Sequence, residues 1–217
     1  MRALFTQQLD ELLGRLGELA ELSGQGLALA TKALFDTDLD AAQYALDLDE
    51  QLEDLQVDCS NRAVKILALQ HPVAADLRLV FSAVRISTDL ERMGQLTQHI
   101  ARVARRRFPD RLVNDALRDE LTQMAELSAV IAGRLSDAFT DLDVDSIAKI
   151  RVVNAELDDV HSRVLSAVEE PSRGGDVATA IDIALIARFY GRFGDQAVDV
   201  ADRLIFFVTG RRPASAA

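Results

Sequence analysis

Apolar side chains recur every three or four residues along six long runs of this sequence, and that spacing constrains its fold more than any other feature. Each run places its apolar residues on one stripe of an α-helix, which must be buried against other helices. The chain is therefore predicted to be all-α. The clearest run contains Ile186, Phe189, Phe193, Ala197, Val200, Leu204 and Phe207.

Prolines and clusters of small acidic residues separate the six predicted helices. Asp38 precedes the second helix, and its carboxylate is predicted to cap that helix by accepting backbone N–H bonds. Gly210 follows the last helix, where glycine commonly ends a helix. The first helix covers about residues 6–34, the second ends at His71-Pro72, the third ends at Arg106, and the others cover about 114–139, 143–170 and 176–209.

The two halves of the chain resemble each other in order and in spacing. A repeat of this kind marks a duplicated structural unit, so the halves are expected to fold alike. The third helices of both halves keep an Arg-x-Gly core, at Arg92 and Arg192. The other matching segments are residues 36–40 with 141–145, and residues 49–55 with 154–160.

The repeat and the short turns predict two tandem antiparallel three-helix bundles. We place the first repeat at residues 1–108 and the second at 109–210. Residues 211–217 contain too little apolar surface to pack and are expected to be disordered. Cys59 lies on the apolar stripe of the second helix, so we interpret it as part of the core.

Composition excludes several classes of function. Asp and Glu number 35 against 24 Lys and Arg, and a surface with a net charge of −11 repels nucleic acid. A single cysteine excludes an internal disulfide and a cysteine-based zinc site. The sequence shows neither an export signal nor about 18 consecutive apolar residues, so we expect a cytoplasmic protein without a membrane span.

Five short segments occur in a fixed order along the chain. They are the Asp-rich start of the second helix, and residues 70–78, 89–94, 192–195 and 208–210. In this order and spacing they resemble the PhoU family, the cytoplasmic accessory and regulatory proteins of high-affinity bacterial phosphate uptake. The resemblance covers essentially the whole chain and is greatest to the actinobacterial branch.

The resemblance implies a homodimer without enzymatic activity. Such a protein links the phosphate ABC transporter to a sensor histidine kinase and represses the phosphate-starvation response when phosphate is plentiful. Its expected partners are the kinase and the ATPase subunit of the transporter, and it reaches the membrane only through them. Nucleic acid is not an expected partner.

The family also suggests metal-ligating residues, because some members hold surface metal clusters on acidic residues four apart. Residues i and i+4 share one helical face, so two such pairs on adjacent helices can present hard oxygen ligands to iron, zinc, manganese or magnesium. In the first repeat Gln95 replaces one acid. The matching acids there are Asp49, Glu53 and Glu91. The alternative is that they form a solvated flank.

The second repeat departs further from the family pattern. Asn154 and Gly191 replace acids, which leaves Asp158 and Asp195 at the matching positions. His161 follows Asp158 by about one turn, so a rearranged site with an imidazole ligand is an alternative.

Other polar residues carry weaker hypotheses. His71 and His99 are interpreted as structural or surface residues. Arg92 and Arg192 are interpreted as partners of neighbouring acids. The basic patch of Arg102 and residues 105–107 suits a helix C-terminus, and alternatively a binding site for the kinase or an anionic membrane.

Two competing functions remain at this stage. A di-iron carboxylate protein needs paired Glu-x-x-His motifs, whereas the chain offers a single Asp-x-x-His, at Asp158 and His161. A generic helical adaptor unrelated to phosphate fits composition and periodicity equally well. The chain lacks a Gly-x-Ser-x-Gly nucleophile elbow.

Overall fold

The structure, a computed structural model, describes residues 2–70, 72–113 and 115–211. The described residues form six long helices and one short helix, without a strand, which confirms the predicted all-α fold. The helices are α1 (Arg2–Asp36), α2 (Leu39–Gln70), α3 (Ala75–Arg107), α4 (Arg118–Asp141), α5 (Val144–Val168), α6 (Pro171–Gly174) and α7 (Val177–Thr209).

Both predicted helix boundaries that rest on a capping residue are confirmed. The carboxylate of Asp38 accepts a hydrogen bond from the backbone N–H of Ala41 at 2.9 Å. Gly210 has a left-handed backbone with φ of 70°, and its N–H donates to the carbonyl of Phe206. Because the left-handed region is strained for residues with a Cβ, glycine suits this position.

Helix α4 begins at Arg118, later than predicted, because the connector before it folds into the core. Leu112, Val113 and Leu117 of this connector are buried and precede the helix. The short helix α6 occupies what the sequence indicated only as a turn. His71 and most of the predicted tail, residues 212–217, lie outside the described residues.

One large hydrophobic core runs through both repeats in the described chain, and a small cluster of alanines lies apart from it. Helices α1, α2 and α3 pack together, as do α4, α5 and α7, and the two groups meet where α3 contacts α7 and α1 contacts α4. Leu16 and Ile86 of the first repeat belong to the same buried cluster as Leu135 and Phe193 of the second. None of the described helices has the length and apolarity of a membrane span.

Ion pairs fix α3 and α7 in an antiparallel arrangement. Near one end of α7, Asp182 accepts hydrogen bonds from Arg106 at 2.5 Å and Arg107 at 2.6 Å. Towards the other end, Arg203 donates to Asp89 at 2.7 Å. Each aspartate is only 5% exposed. Two arginines of the predicted basic patch therefore hold the repeats together.

The glycine of each Arg-x-Gly core lies where two helices approach closely. A Cβ added at Gly94 of α3 would lie 2.5 Å from Leu52 of α2. A Cβ added at Gly194 of α7 would lie 2.8 Å from Leu157 and 2.0 Å from the side-chain oxygen of Asn154, both in α5. Both repeats thus use a glycine to bring their second and third helices together.

Substituting either glycine should destabilise the fold by overpacking. We expect Gly94→Ala and Gly194→Ala each to lower the free energy of unfolding by about 1–3 kcal/mol, measured by urea denaturation. Gly14→Ala is the matched control, since nothing lies within 4 Å of its added Cβ. That control should stabilise by about 0.5–1 kcal/mol through helix propensity, and equal effects in all three variants would contradict the packing explanation.

Candidate functional site

The carboxylates predicted in the first repeat lie on the outer flank of α2 and α3. Leu52 packs against Gly94, which places Asp49 and Glu53 beside the surface of α3. Asp49 and Glu53 are exposed, and Glu91 is partly buried. The structure therefore brings both helices of the predicted site together.

Neighbouring amides occupy some of these carboxylate oxygens. Gln98, which is buried, donates to Asp49 Oδ1 at 2.6 Å. Gln95, the residue that replaces an acid, donates to Glu91 Oε1 at 3.1 Å. In the described part of the chain, no three or more His, Cys, Asp or Glu side chains are grouped so as to hold a metal ion. Each of these hydrogen bonds engages one oxygen of its carboxylate, Oδ1 of Asp49 and Oε1 of Glu91. Metal binding at this flank stays a prediction.

The flank of the second repeat has a different chemistry. Asn154 is buried, and its Oδ1 has no hydrogen-bond partner among the described residues. His161 Nε2 is also buried and unpartnered within the described chain, and its ring lies 3.8 Å from the position of a Cβ on Gly191. Gly191 therefore leaves room for the imidazole where the family pattern has an acid.

The two remaining acids of this flank interact. Partial burial, and then the charge of Asp195, raise the pKa of Asp158. Asp195 is itself in a long ion pair, 3.7 Å from Arg192. These two carboxylates, with an imidazole and an amide nearby, supply the ligand types of a mixed oxygen and nitrogen site. In the described structure these side chains do not form a metal-binding cluster.

A pocket of about 240 Å³, lined mainly by polar residues, lies between α3 and α7, where no site is predicted from the sequence. Arg92 and Arg192, at equivalent positions of the two repeats, both line it. Each is only loosely tied to an acid on its own helix, Arg92 at 3.9 Å from Asp89. The repetition of Arg-x-Gly was the available signal, but it did not reveal that the two arginines line one pocket.

His99 also lines this pocket and stacks on Phe189, with ring centroids 5.0 Å apart. Partial burial, and then the positive charge of Arg102, lower the pKa of His99. Arg102 Nη1 lies 3.5 Å from Nδ1 of the imidazole. Two arginines and no acidic residue thus line this pocket, on a protein whose net charge is −11.

Both repeats match one family model. The model of the PhoU domain matches residues 16–104, within α1 to α3, and residues 121–204, within α4 to α7. The chain belongs to the PhoU family. This confirms the resemblance inferred from its motifs and the presence of two repeats.

Relatives of the PhoU family cover nearly the full length of the chain. It is 36% identical to the phosphate-specific transport system accessory protein PhoU homolog 1 of Mycobacterium tuberculosis, over 98% of this chain and 96% of that one. It is 35% identical to PhoU homolog 2 of the same organism, over 98% of this chain and all of the relative, 100%. The predicted likeness to actinobacterial members is confirmed.

Solved PhoU structures share the fold. The phosphate transport system regulatory protein PhoU from Streptococcus pneumoniae superimposes with a TM-score of 0.86 at 23% identity, covering 97% of this chain and 99% of that one. PhoU from Pseudomonas aeruginosa gives 0.83 at 24% identity, covering 95% and 100%. At these identities the likeness establishes the fold alone.

The lowered pKa of His99 leads to a test of the pocket. Arg102→Gln should raise the pKa of His99, which should still stay below the ordinary value because burial, its larger cause, remains. The imidazole C–H signals in a proton NMR titration report this pKa, and only 3 histidines need to be assigned. Arg105→Gln is the control and should leave the signal unchanged.

The same shift has a consequence for stability. Because the pKa of His99 is lower in the folded chain than in the unfolded chain, the unfolded chain takes up the proton first. Stability should therefore fall as the pH drops below about 6.5, and less steeply in Arg102→Gln. An unchanged pKa in that variant would contradict the role assigned to Arg102.

Proposed function

We propose that this chain regulates phosphate uptake as a signalling adaptor in the cytoplasm. It connects the ATPase subunit of the phosphate ABC transporter with a sensor histidine kinase and keeps the phosphate-starvation response off when phosphate is plentiful. The observation that carries the proposal is the match of two PhoU domains to a chain whose full-length relatives are named accessory proteins of phosphate-specific transport.

The burial of its cysteine and of one tyrosine supports a binding function over a catalytic one. Its single thiol, Cys59, is 1% exposed, and burial raises its pKa to about 12, so it is protonated and inaccessible at neutral pH. The buried phenol of Tyr190 is engaged by Thr31, with 2.8 Å between the two oxygens. The polar groups that face solvent lie along the helix flanks and in the pocket between α3 and α7, where other proteins can reach them.

The adaptor acts as a homodimer in this proposal, and it reaches the membrane only through its partners. An acidic surface supports this arrangement, because the anionic lipids of the cytoplasmic leaflet repel it. Arg106 and Arg107 are held by Asp182, so less of the basic patch remains for lipid headgroups.

Binding to the kinase is the direct test of the adaptor. The purified chain, titrated by calorimetry into the cytoplasmic part of the phosphate-sensing kinase of its own organism, should show saturable binding. Deleting the gene should derepress phosphate-starvation genes in phosphate-rich medium. Saturable binding without derepression would leave the chain a generic helical adaptor, and absence of both would overturn the proposal.

Metal binding in the first repeat is proposed as a second property of the adaptor. The triple variant Asp49→Asn, Glu53→Gln and Glu91→Gln should remove any stoichiometric iron, zinc, manganese or magnesium from that repeat, because hard cations need the charged oxygens. Inductively coupled plasma mass spectrometry of the purified protein measures the loss. Glu50→Gln with Glu156→Gln, both exposed acids outside the set, is the control. Equal metal content in the triple variant and in the native chain would contradict this assignment.

A further inference from the structure

An open groove of about 730 Å³ lies between α1 and α4, the first helices of the two repeats. It is far larger than the polar pocket between α3 and α7, and its lining is mostly carbon. Grooves of this size and character on a well-packed protein mark binding sites more often than packing defects. The residues that shape it include Gly24, Ala28 and Thr31 of α1, and Ala125, Ala129 and Gly133 of α4.

The dimensions of the groove suit one helix. Its lining runs from Glu21 to Asp36 along α1 and from Thr122 to Ser136 along α4. At 1.5 Å per residue, these stretches are roughly 20 Å long, or about four helical turns. A partner helix lying between them could bury one apolar face over its whole length.

The floor of the groove is formed by packed and satisfied groups. Leu27 is 1% exposed and Ala125 is 7% exposed, and both belong to the common core. The hydroxyl of Thr31 is hydrogen-bonded to that of Tyr190, which is fully buried beneath it in α7. Because the hydroxyl of Thr31 is already hydrogen-bonded, the floor of the groove presents an apolar surface before any ligand binds.

The rim of the groove is acidic. Glu21 and Glu126 are exposed on opposite sides, and neither forms an ion pair with another described residue. The cation that lines the groove, Lys32, is paired with Asp38 at 2.8 Å. An apolar floor with an acidic rim favours a ligand that has one apolar face flanked by basic side chains.

A second copy of this chain is a poor match for the groove. Packed groove to groove, two copies would bring the same exposed rim carboxylates, Glu21 and Glu126, close together, and like charges at short range repel. Charge complementarity instead favours a basic partner.

We propose that the groove between α1 and α4 binds a basic amphipathic helix of a partner protein. The apolar face of that helix lies on the floor, and its lysine or arginine side chains reach Glu21 on one side and Glu126 on the other. This is the helix-in-groove mode of recognition. The proposal holds whether the partner is the kinase, the transporter ATPase or another protein, so a failed kinase titration leaves it standing.

A peptide of defined design tests the groove. The probe is a synthetic helix of leucine and lysine, about 15 residues long, with all leucines on one face, and a scrambled peptide of equal composition is its control. Titrated into the full-length chain by calorimetry, the probe should bind with 1:1 stoichiometry, and the scrambled peptide should bind at least about tenfold more weakly. No saturable binding of the probe would overturn the proposal.

Filling the groove without changing its charge distinguishes binding in the groove from non-specific attraction of a basic peptide to an acidic protein. Ala28→Phe with Ala129→Phe places two rings in the groove, and both positions are exposed, so the fold should persist by circular dichroism. Affinity for the probe should fall at least about tenfold. Ala155→Phe with Ala178→Phe, at exposed positions elsewhere, should leave it unchanged. Equal affinity in both double variants would overturn the proposal, because charge attraction alone would then explain binding.

Reversing the rim charges tests the flanks. Glu21→Lys with Glu126→Lys should weaken binding about tenfold at low salt, more than the matched Asp10→Lys with Glu156→Lys. Equal losses would contradict the assigned contacts. Analytical ultracentrifugation of the native and groove-filled chains examines self-association. A native dimer that becomes monomeric on filling would overturn the proposal in favour of a second copy as occupant.

Discussion

The arrangement of the two repeats depends on buried carboxylates that are neutralised from the opposite repeat. Asp182 and Asp89 lie in the seam between α3 and α7, and moving a carboxylate out of water costs several kcal/mol unless it is paired. Arg107 supplies the pairing at one end and Arg203 at the other. Sliding α3 by one turn would break both pairs, so the antiparallel register is fixed and with it the pocket and the groove.

Duplication has preserved the packing of the repeats and relaxed their outer flanks. Gly94 and Gly194 both remain, because any larger residue would collide with the second helix of its repeat. The flank of the first repeat keeps exposed acids, whereas that of the second has replaced one acid by the buried Asn154. Close packing tolerates little change in volume at the two glycines. The flank of the second repeat differs at positions that are themselves buried, Asn154 and Gly191, and there the ring of His161 lies beside Gly191.

Local rules explain which features the sequence could predict. Asp38 and Gly210 act within one turn of their own helix, so their roles could be inferred from their positions alone. The spacing of apolar residues is also a local pattern, and it predicted the six long helices. The hydrogen bond from Gln98 to Asp49 and the pocket lined by both Arg92 and Arg192 involve different helices. Such arrangements depend on packing angles that no local pattern specifies. The groove was missed for the same reason, since alanine and glycine in a helix give no sign of what faces them.

The two repeats differ in their ion pairs, so the two ends of the seam between α3 and α7 are not equivalent. Asp182 accepts hydrogen bonds from two arginines near the start of α7, whereas Asp89 accepts one from Arg203 farther along the seam. An idealised duplicated protein would look the same after a half-turn, and a ligand could then dock on it in two equivalent ways. In this chain the two ends of the seam differ. A protein that lies along α3 and α7 therefore meets different charges in its two orientations. A fold of two similar repeats can therefore favour one orientation of a bound partner over the other.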